Sequence, residues 1–493
     1  MLSTFSHTLG RRTASLSALR RSALPSFSCQ HFSSEDEEPV IVRDGPNLPV
    51  DVEHYTSGWN VDDIQDFVVP GKYTVHTYNK ISPLGLAKFP AQYYNVEDAT
   101  SANTQAQAIL LRSHKLQEAE IDVPVRAIAR CGAGTNNIPV ARCTEMGIPV
   151  FNTPGANANA VKELILCGLF LGSRKVVDGI NHMKSLGEQG LQRERVEKDK
   201  SMFGGREVKG KTLAVIGLGH IGASTARDAV HLGMKIQGYD PGLSVQSALQ
   251  LPRDISLSDS IASAVAGADY ISINIPYIKG TVEEGGTHHI IGKDVISHFK
   301  QDAVLLNFAR GELVDSLAMK DFLDQGEGRY ISDFPDDEVW DHPNSVLLPH
   351  LGASTEEAED AAAGMAAETI REYLEHGTIR NSVNFPSTNL PERHERIIRI
   401  TVVNKNIPGM LSKITDCLAK SGLNIAQQIN QSRGDIAYNV IDLDPTMSQE
   451  GQSVELKELQ KEMTLLDGVL STRVLFGSPG LAYARNIDGQ YFA

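Results

Sequence analysis

The chain has 493 residues, which at about 150 residues per domain points to roughly three domains. With 41% hydrophobic and 22% charged residues the composition excludes wholesale disorder, and no apolar run approaches the roughly 18 residues of a membrane-spanning helix. A net charge of −15 argues against sequence-independent nucleic-acid binding, and it means that an anionic small substrate needs a local basic cluster to hold it.

Residues 1–34 contain Arg11, Arg12, Arg20 and Arg21, nine serines and no acidic residue before Glu35. That composition predicts an organellar transit peptide, addressed to the mitochondrial matrix or the plastid stroma; a disordered extension of a cytoplasmic protein is the alternative. Residues 35–71 are acidic and lack apolar periodicity, as a lead-in would. From residue 72 to about 170, strand-like runs such as AILL at 108–111 and AIAR at 127–130 alternate with helical stretches, a βαβ pattern. A second βαβ series occupies 171–356, and an Ala-rich helix over 357–381 is expected to complete the first domain. A Pro-containing linker (382–395) precedes a unit at 396–477 that reads β-α-β-β-α-β, and 478–493 form a tail. The cysteines Cys29, Cys131, Cys143, Cys167 and Cys417 are scattered, without a Cys-x-x-Cys pair, so neither a disulfide framework nor a metal site is expected.

The sharpest local signal begins where the apolar run 213–216 enters Gly217-x-Gly219-x-x-Gly222, followed by a helical pattern and a second strand ending at Asp240. Such a turn needs one glycine for its backbone angles, one for approach of the pyrophosphate and one for helix–strand packing. The carboxylate of Asp240 suits ribose hydroxyls and would repel a 2′-phosphate, and residues 241–246 offer no arginine, so NAD is expected over NADP. Oxidising an alcohol also needs a proton acceptor and a cation for a carboxylate. Arg310, after the strand-like run at 303–307, and His350, after that at 345–348, occupy the strand ends that face the ligand crevice in such folds. The acidic loop 333–338 lies between them.

These motifs resemble the D-2-hydroxyacid dehydrogenases over residues 72–385, through AIARCGAGTNNI at 127–138, NTPGANANAVKELIL at 152–166, GLGHIG at 217–222, NFARGELVD at 307–315 and PHLGAST at 349–355. The resemblance implies an α/β fold of two Rossmann-like doubly wound domains, substrate-binding and NAD-binding. It also implies that Arg310 binds the substrate carboxylate and carbonyl, and that His350 is the acid/base. Glu338 fits best as the acidic partner of His350. The loop from Asp333 is shorter than usual, so Asp336 or Asp337 are alternatives. The NAD contacts it implies are Gly217, Gly219, His220, Ile221, Gly222 and Asp240 around the glycine turn, with Ile275 beside it. Later in the chain they are Phe308, Ala309, Arg310, Asp333, His350, Gly352 and Ala353.

Arg112 and Ser113, with His114 and Lys115 beside them, match the phosphate-binding cluster of members acting on a phosphorylated hydroxyacid, and Asn152 matches a substrate-facing asparagine. The 396–477 unit resembles the ACT domain, a ferredoxin-like α+β regulatory module. There Asn406 and Asn424 match residues that, with a polar residue two before the first, clasp L-serine across two copies; Asn404 stands at that position in place of the commoner histidine, and the pairing implies a homodimer or homotetramer. A serine effector would then act by rearranging domains about the linker. The competing expectations are a glycerate- or hydroxypyruvate-type member of the family and, from another class, a non-enzymatic NAD-sensing corepressor.

Overall fold

The computed structural model describes residues 72–475 apart from 103, 123, 244, 250, 392–396 and 445–455. The transit-peptide and lead-in readings, the tail and part of the linker lie outside the described residues.

Five parallel strands form the first sheet: β1 (Tyr73–Tyr78), β2 (Tyr94–Asp98), β3 (Ala108–Leu111), β4 (Ala127–Arg130) and β5 (Val150–Phe151), in the order β2-β1-β3-β4-β5. The central strands β3 and β4, and β5 beside them, read as short apolar runs because both faces are covered. Ala108, Leu110, Ala127 and Ala129 enter one core, and Ile109, Leu111, Ile128 and Val150 enter the core on the other side.

The second sheet holds seven parallel strands: β6 (Thr212–Ile216), β7 (Lys235–Tyr239), β8 (Ser256–Leu257), β9 (Tyr270–Ile273), β10 (Val304–Asn307), β11 (Arg329–Ser332) and β12 (Ser345–Leu347). Their order, β12-β11-β10-β9-β6-β7-β8, reverses at β6, where doubly wound folds bind dinucleotides. Helix α1 (Ala158–Ser173) packs on this sheet although it precedes it, with Val161, Ile165 and Leu169 in one core with Val215 and Leu306. A Cβ on Gly168 would lie 2.6 Å from Phe308 Cζ, and one on Gly172 would lie 2.5 Å from Val304 Cγ1. The helix can therefore approach only where side chains are missing, and the chain crosses to the nucleotide sheet before α1, not after it at the expected 170/171 boundary. After α2 (His220–His231), helix α3 (Glu356–His376) brings the chain back. Its Ala362, Ala363, Ala366 and Ala367 lie in the core of the first sheet, beside Ala127 and Ala129.

The last unit runs β13 (Ile398–Lys405), α4 (Met410–Lys420), β14 (Asn424–Arg433), β15 (Ile436–Asp444), α5 (Leu456–Thr464) and β16 (Val469–Leu475). Its antiparallel sheet has the order β14-β15-β13-β16. Ile400, Val402, Ile441 and Leu443 face the two helices. Val403, Ile436, Tyr438 and Val440 point the other way and share the core of the first domain with Phe151, Tyr373 and Phe385.

Polar groups fasten this junction. Arg473 donates to the carbonyls of Tyr373 (3.2 Å) and Leu374 (2.9 Å), Arg399 to that of His376 (2.7 Å), and the Tyr438 hydroxyl to that of Gly377 (2.7 Å). These carbonyls lie in the last turn and C-cap of α3, where the Tyr373 carbonyl also accepts the Gly377 N–H, and cations are favourable at that end of the helix dipole. The linker is not a free tether either. Asn384 Nδ2 donates to Thr144 Oγ1 and the Ile148 carbonyl, Phe385 is buried, and Arg433 donates to the Ser382 carbonyl. An effector mechanism based on swinging about 382–395 has no support in this packing.

Candidate active site

The glycine turn is built as its chemistry requires. Gly217 has φ 88°, and a Cβ there would lie 2.6 Å from the Asn274 carbonyl oxygen and 2.8 Å from Ile275 Cγ2. A Cβ on Gly222 would lie 1.9 Å from the Gly217 carbonyl oxygen, so α2 and the turn pack without side chains. Gly219 caps α2, and around its Cβ position there is open space to 4 Å. A helix N-terminus with free N–H groups and room above it fits a dinucleotide pyrophosphate. Asp240, just after β7, is pinned beside the turn: Oδ2 accepts from Leu218 N (2.8 Å) and Oδ1 from Gly242 N (2.9 Å). Each oxygen keeps a lone pair for a ribose hydroxyl. His220 is exposed and lies against Gly155 of the first domain, whose Cβ position is 3.2 Å from the imidazole, while Ile221 leans on the sheet core.

Phe308 is buried under α1, and Asp333 is buried, each of its carboxylate oxygens accepting one backbone N–H. Ala309 is half-buried, with its N–H donating to Asn307 Oδ1, Gly352 is buried and Ala353 half-buried.

Across from the turn, strand ends gather cations. Leu111 and Arg130 are in register on β3 and β4, which sets the Arg130 side chain beside the main chain of Arg112. Arg130 Nε donates to the Arg112 carbonyl (2.9 Å) and its Nη1 to that of Gly134. The Cβ position of Gly134 lies 3.1 Å from Arg130 Nη1 and 3.6 Å from Arg310 Nη2, so Arg310 of the nucleotide domain reaches the same loop. Burial, and then the neighbouring Arg310 and Arg112 cations, hold the Arg130 guanidinium below its ordinary range. Arg112 also pairs with Glu359 on α3 at 2.5 Å. Asn152 ties the loop down, its Nδ2 donating to the Ala133 carbonyl (2.6 Å). Ser113 is exposed, and Asn79 Oδ1 accepts from its backbone N–H (3.0 Å). Arg130 was missed in the sequence, although it ends an apolar strand just as Arg112 does.

Arg310, Asp333 and His350 follow the ends of β10, β11 and β12, three adjacent parallel strands. His350 is exposed, adopts φ 59°, and rests its imidazole on Phe334, 4.8 Å between ring centres. Phe334 also lies beside Gly311, next to Arg310, where a Cβ would come 3.4 Å from the Phe334 Cβ; nothing in the sequence singled it out. The structure does not bring Glu338 to His350. Glu338 is exposed, its backbone N–H donating to Asp336 Oδ1, and Asp336 Oδ2 accepts from Ser316 Oγ (2.9 Å).

The three regulatory asparagines do not meet within one chain. Asn404 is 1% exposed; its Nδ2 donates to the Lys405 carbonyl and its Oδ1 accepts from Asn439, which in turn accepts from Asn430. This interior ladder uses the groups with which Asn404 was expected to hold a ligand. Asn406 is exposed, and Asn424 lies at the opposite end of the sheet, opposite Asp444.

Residues 178–352 match the model of the NAD-binding domain of the D-isomer-specific 2-hydroxyacid dehydrogenases. The chain is 31% identical over 355 residues to D-3-phosphoglycerate dehydrogenase of Haemophilus influenzae, covering 70% of this chain and 79% of that protein. It is 29% identical over 356 residues to the enzyme of the same name from Dictyostelium discoideum, again 70% and 79%. Among solved structures, D-2-hydroxyisocaproate dehydrogenase superposes with a TM-score of 0.51 at 20% identity, over 63% of this chain and 100% of that one, a likeness of fold. The chain belongs to the D-isomer-specific 2-hydroxyacid dehydrogenase family, among the D-3-phosphoglycerate dehydrogenases.

Proposed function

We propose that the protein oxidises D-3-phosphoglycerate to 3-phosphooxypyruvate with NAD, the entry step of the phosphorylated route to L-serine. The observation that carries this reading is the gathering of Arg130 and Arg310 at the 130–134 loop, with Arg112 beside them, in a chain whose net charge is −15. A substrate with a carboxylate at one end and a phosphate at the other matches that set. Arg310 grips the carboxylate and polarises the C2 oxygen, with the planar two-point geometry that a lysine lacks. Arg112 and Arg130 hold the phosphate. His350 takes the C2 hydroxyl proton, and NAD, when bound, supplies the hydride acceptor. Gly217, Gly219, Gly222 and Asp240 are the residues that would hold it. Steady-state assays of D-3-phosphoglycerate, D-glycerate and D-lactate with NAD and NADP test the reading. The phosphorylated substrate with NAD should give the highest kcat/KM by at least tenfold.

One observation favours an unphosphorylated substrate such as glycerate or hydroxypyruvate: Arg112 already has an anionic partner in Glu359. The same panel decides between the two.

We also read the last unit as an ACT module and the protein as a homodimer or homotetramer. Two surfaces support association. Strand β14 is a long, mostly exposed edge, and Val176, Ile180 and Met183 lie exposed on one face of the helix Val176–Glu188. L-serine as effector would rest on Asn406 of one copy and Asn424 of another. The N-terminal composition supports delivery to an organelle, which a fusion of residues 1–34 to a fluorescent protein tests.

A further inference from the structure

We propose that Glu359 is a built-in competitor for the phosphate-binding arginine and thereby sets how strongly this enzyme prefers a phosphorylated over an unphosphorylated hydroxyacid. The inference rests on the reading that Arg112 holds the phosphate. Glu359 stands in the first turn of α3, with Oε1 2.5 Å from Arg112 Nη1. The two side chains are 34% and 41% exposed, so water and ligand can reach both. The Arg112 backbone is fixed, because its carbonyl accepts from Arg130 Nε and Asn137 Nδ2. Only its guanidinium is free to exchange partners.

Glu359 is also the carboxylate aimed at the cluster. Its neighbour Asp360 is engaged elsewhere, accepting from Ser82 Oγ. A phosphate dianion brings more charge and more acceptor oxygens than a carboxylate and displaces it. The displaced Glu359 stays near a helix N-terminus, where negative charge is favourable. An unphosphorylated hydroxyacid has nothing that displaces Glu359, so the pair persists while it reacts. Breaking the pair subtracts from the apparent affinity of the phosphorylated substrate alone. Exposed ion pairs are weak, so the expected effect is about two- to fivefold.

The test is kcat and KM for D-3-phosphoglycerate and D-glycerate in Glu359→Gln, Glu359→Asp, Arg112→Ala and the double variant Arg112→Ala/Glu359→Gln. Glu359→Gln should lower KM for D-3-phosphoglycerate about two- to fivefold, carried by KM and not kcat, and the gain should shrink as salt is raised. KM for D-glycerate should not follow, Glu359→Asp should stay near the parent, and the gain should vanish in the double variant. A rise in KM would overturn the proposal by showing that Glu359 holds Arg112 in place, and an equal change for both substrates would overturn it by showing a general effect. If Arg112→Ala weakens both substrates equally, the phosphate assignment has failed. If it is selective and Glu359→Gln changes nothing, only the role of Glu359 has failed.

Discussion

His350 donates its backbone N–H to the carbonyl of Asp333 at 3.0 Å, and the Asp333 carboxylate accepts the next two backbone N–H groups, Leu351 and Gly352, at 2.7 Å each. Three consecutive N–H groups are thus held by one buried residue. His350 sits at φ 59°, an angle uncommon outside glycine, and such a conformation persists only where its surroundings over-determine it. Asp333 supplies that constraint. It positions His350 through the main chain, while the imidazole stays exposed.

Asp333→Ala should therefore remove two charge-assisted hydrogen bonds, each worth about 1.5–3 kcal/mol, and release the His350 loop. Tm should fall and kcat should drop by at least tenfold. Asp333→Asn keeps one acceptor and should fall between the two. A full kcat in the alanine variant would show that the loop does not depend on Asp333.

His350→Ala should lower kcat by roughly 10²–10⁴-fold, the usual worth of a positioned acid/base. NAD affinity, followed by fluorescence titration, should largely survive, because the glycine turn and Asp240 do not depend on the imidazole. Loss of NAD binding in step with activity would assign His350 a cofactor-binding role instead.

Much of this site was legible because its chemistry is local. Gly217, Gly219, Gly222 and Asp240 sit within one βαβ unit, so spacing alone places them together. Arg310 and His350 were readable for a related reason: each directly follows an apolar strand of a parallel sheet. The failures are all non-local. Nothing along the chain says that Asp333 turns inward to its own loop, that Phe334 lies under His350, or that Arg130 and Arg112 share a corner, since register across β3 and β4 decides that. The same holds for Asn404, which a motif places in a ligand site and the sheet commits to Asn439.

Cys131 lies between Arg130 and Gly132 in the candidate site, where cations would ordinarily favour a reactive thiolate. Burial wins over the neighbouring Arg112 and Arg130 and pushes the thiol up to about 12, and burial likewise lifts Cys143 to about 12. Both stay protonated at neutral pH. Among the described cysteines, iodoacetamide at pH 8 should modify the exposed Cys167 first and leave Cys131 and Cys143 untouched until the protein unfolds. Early labelling of Cys131 with loss of activity would mean that the site is more open than its packing indicates.

Arg399 is 1% exposed, holds Asp442 through Nε (2.6 Å) and Nη2 (2.8 Å), and caps α3 at the His376 carbonyl. Arg399→Met would leave Asp442, itself 2% exposed, with Gln427 as a hydrogen-bond donor and no cation. Breaking one half of a buried pair costs about 3–5 kcal/mol, so a marked fall in Tm is expected. Arg399→Met/Asp442→Leu removes both charges and should recover much of that loss, because two apolar groups leave no buried charge unpaired. Tyr438 and Val440 lie in the same core as Tyr373 and Phe385, so calorimetry of the full chain should show this unit and the first domain melting together. A separate early transition that tracks the last unit would show the junction to be an ordinary docking surface. The helix capped there also carries Glu359, about 26 Å away for 17 residues at 1.5 Å each. Helix α3 therefore links the last unit to the Arg112 corner, and Arg473→Met, which removes one donor from each of the Tyr373 and Leu374 carbonyls, should weaken any serine effect on KM before it weakens serine binding in titrations of the whole protein.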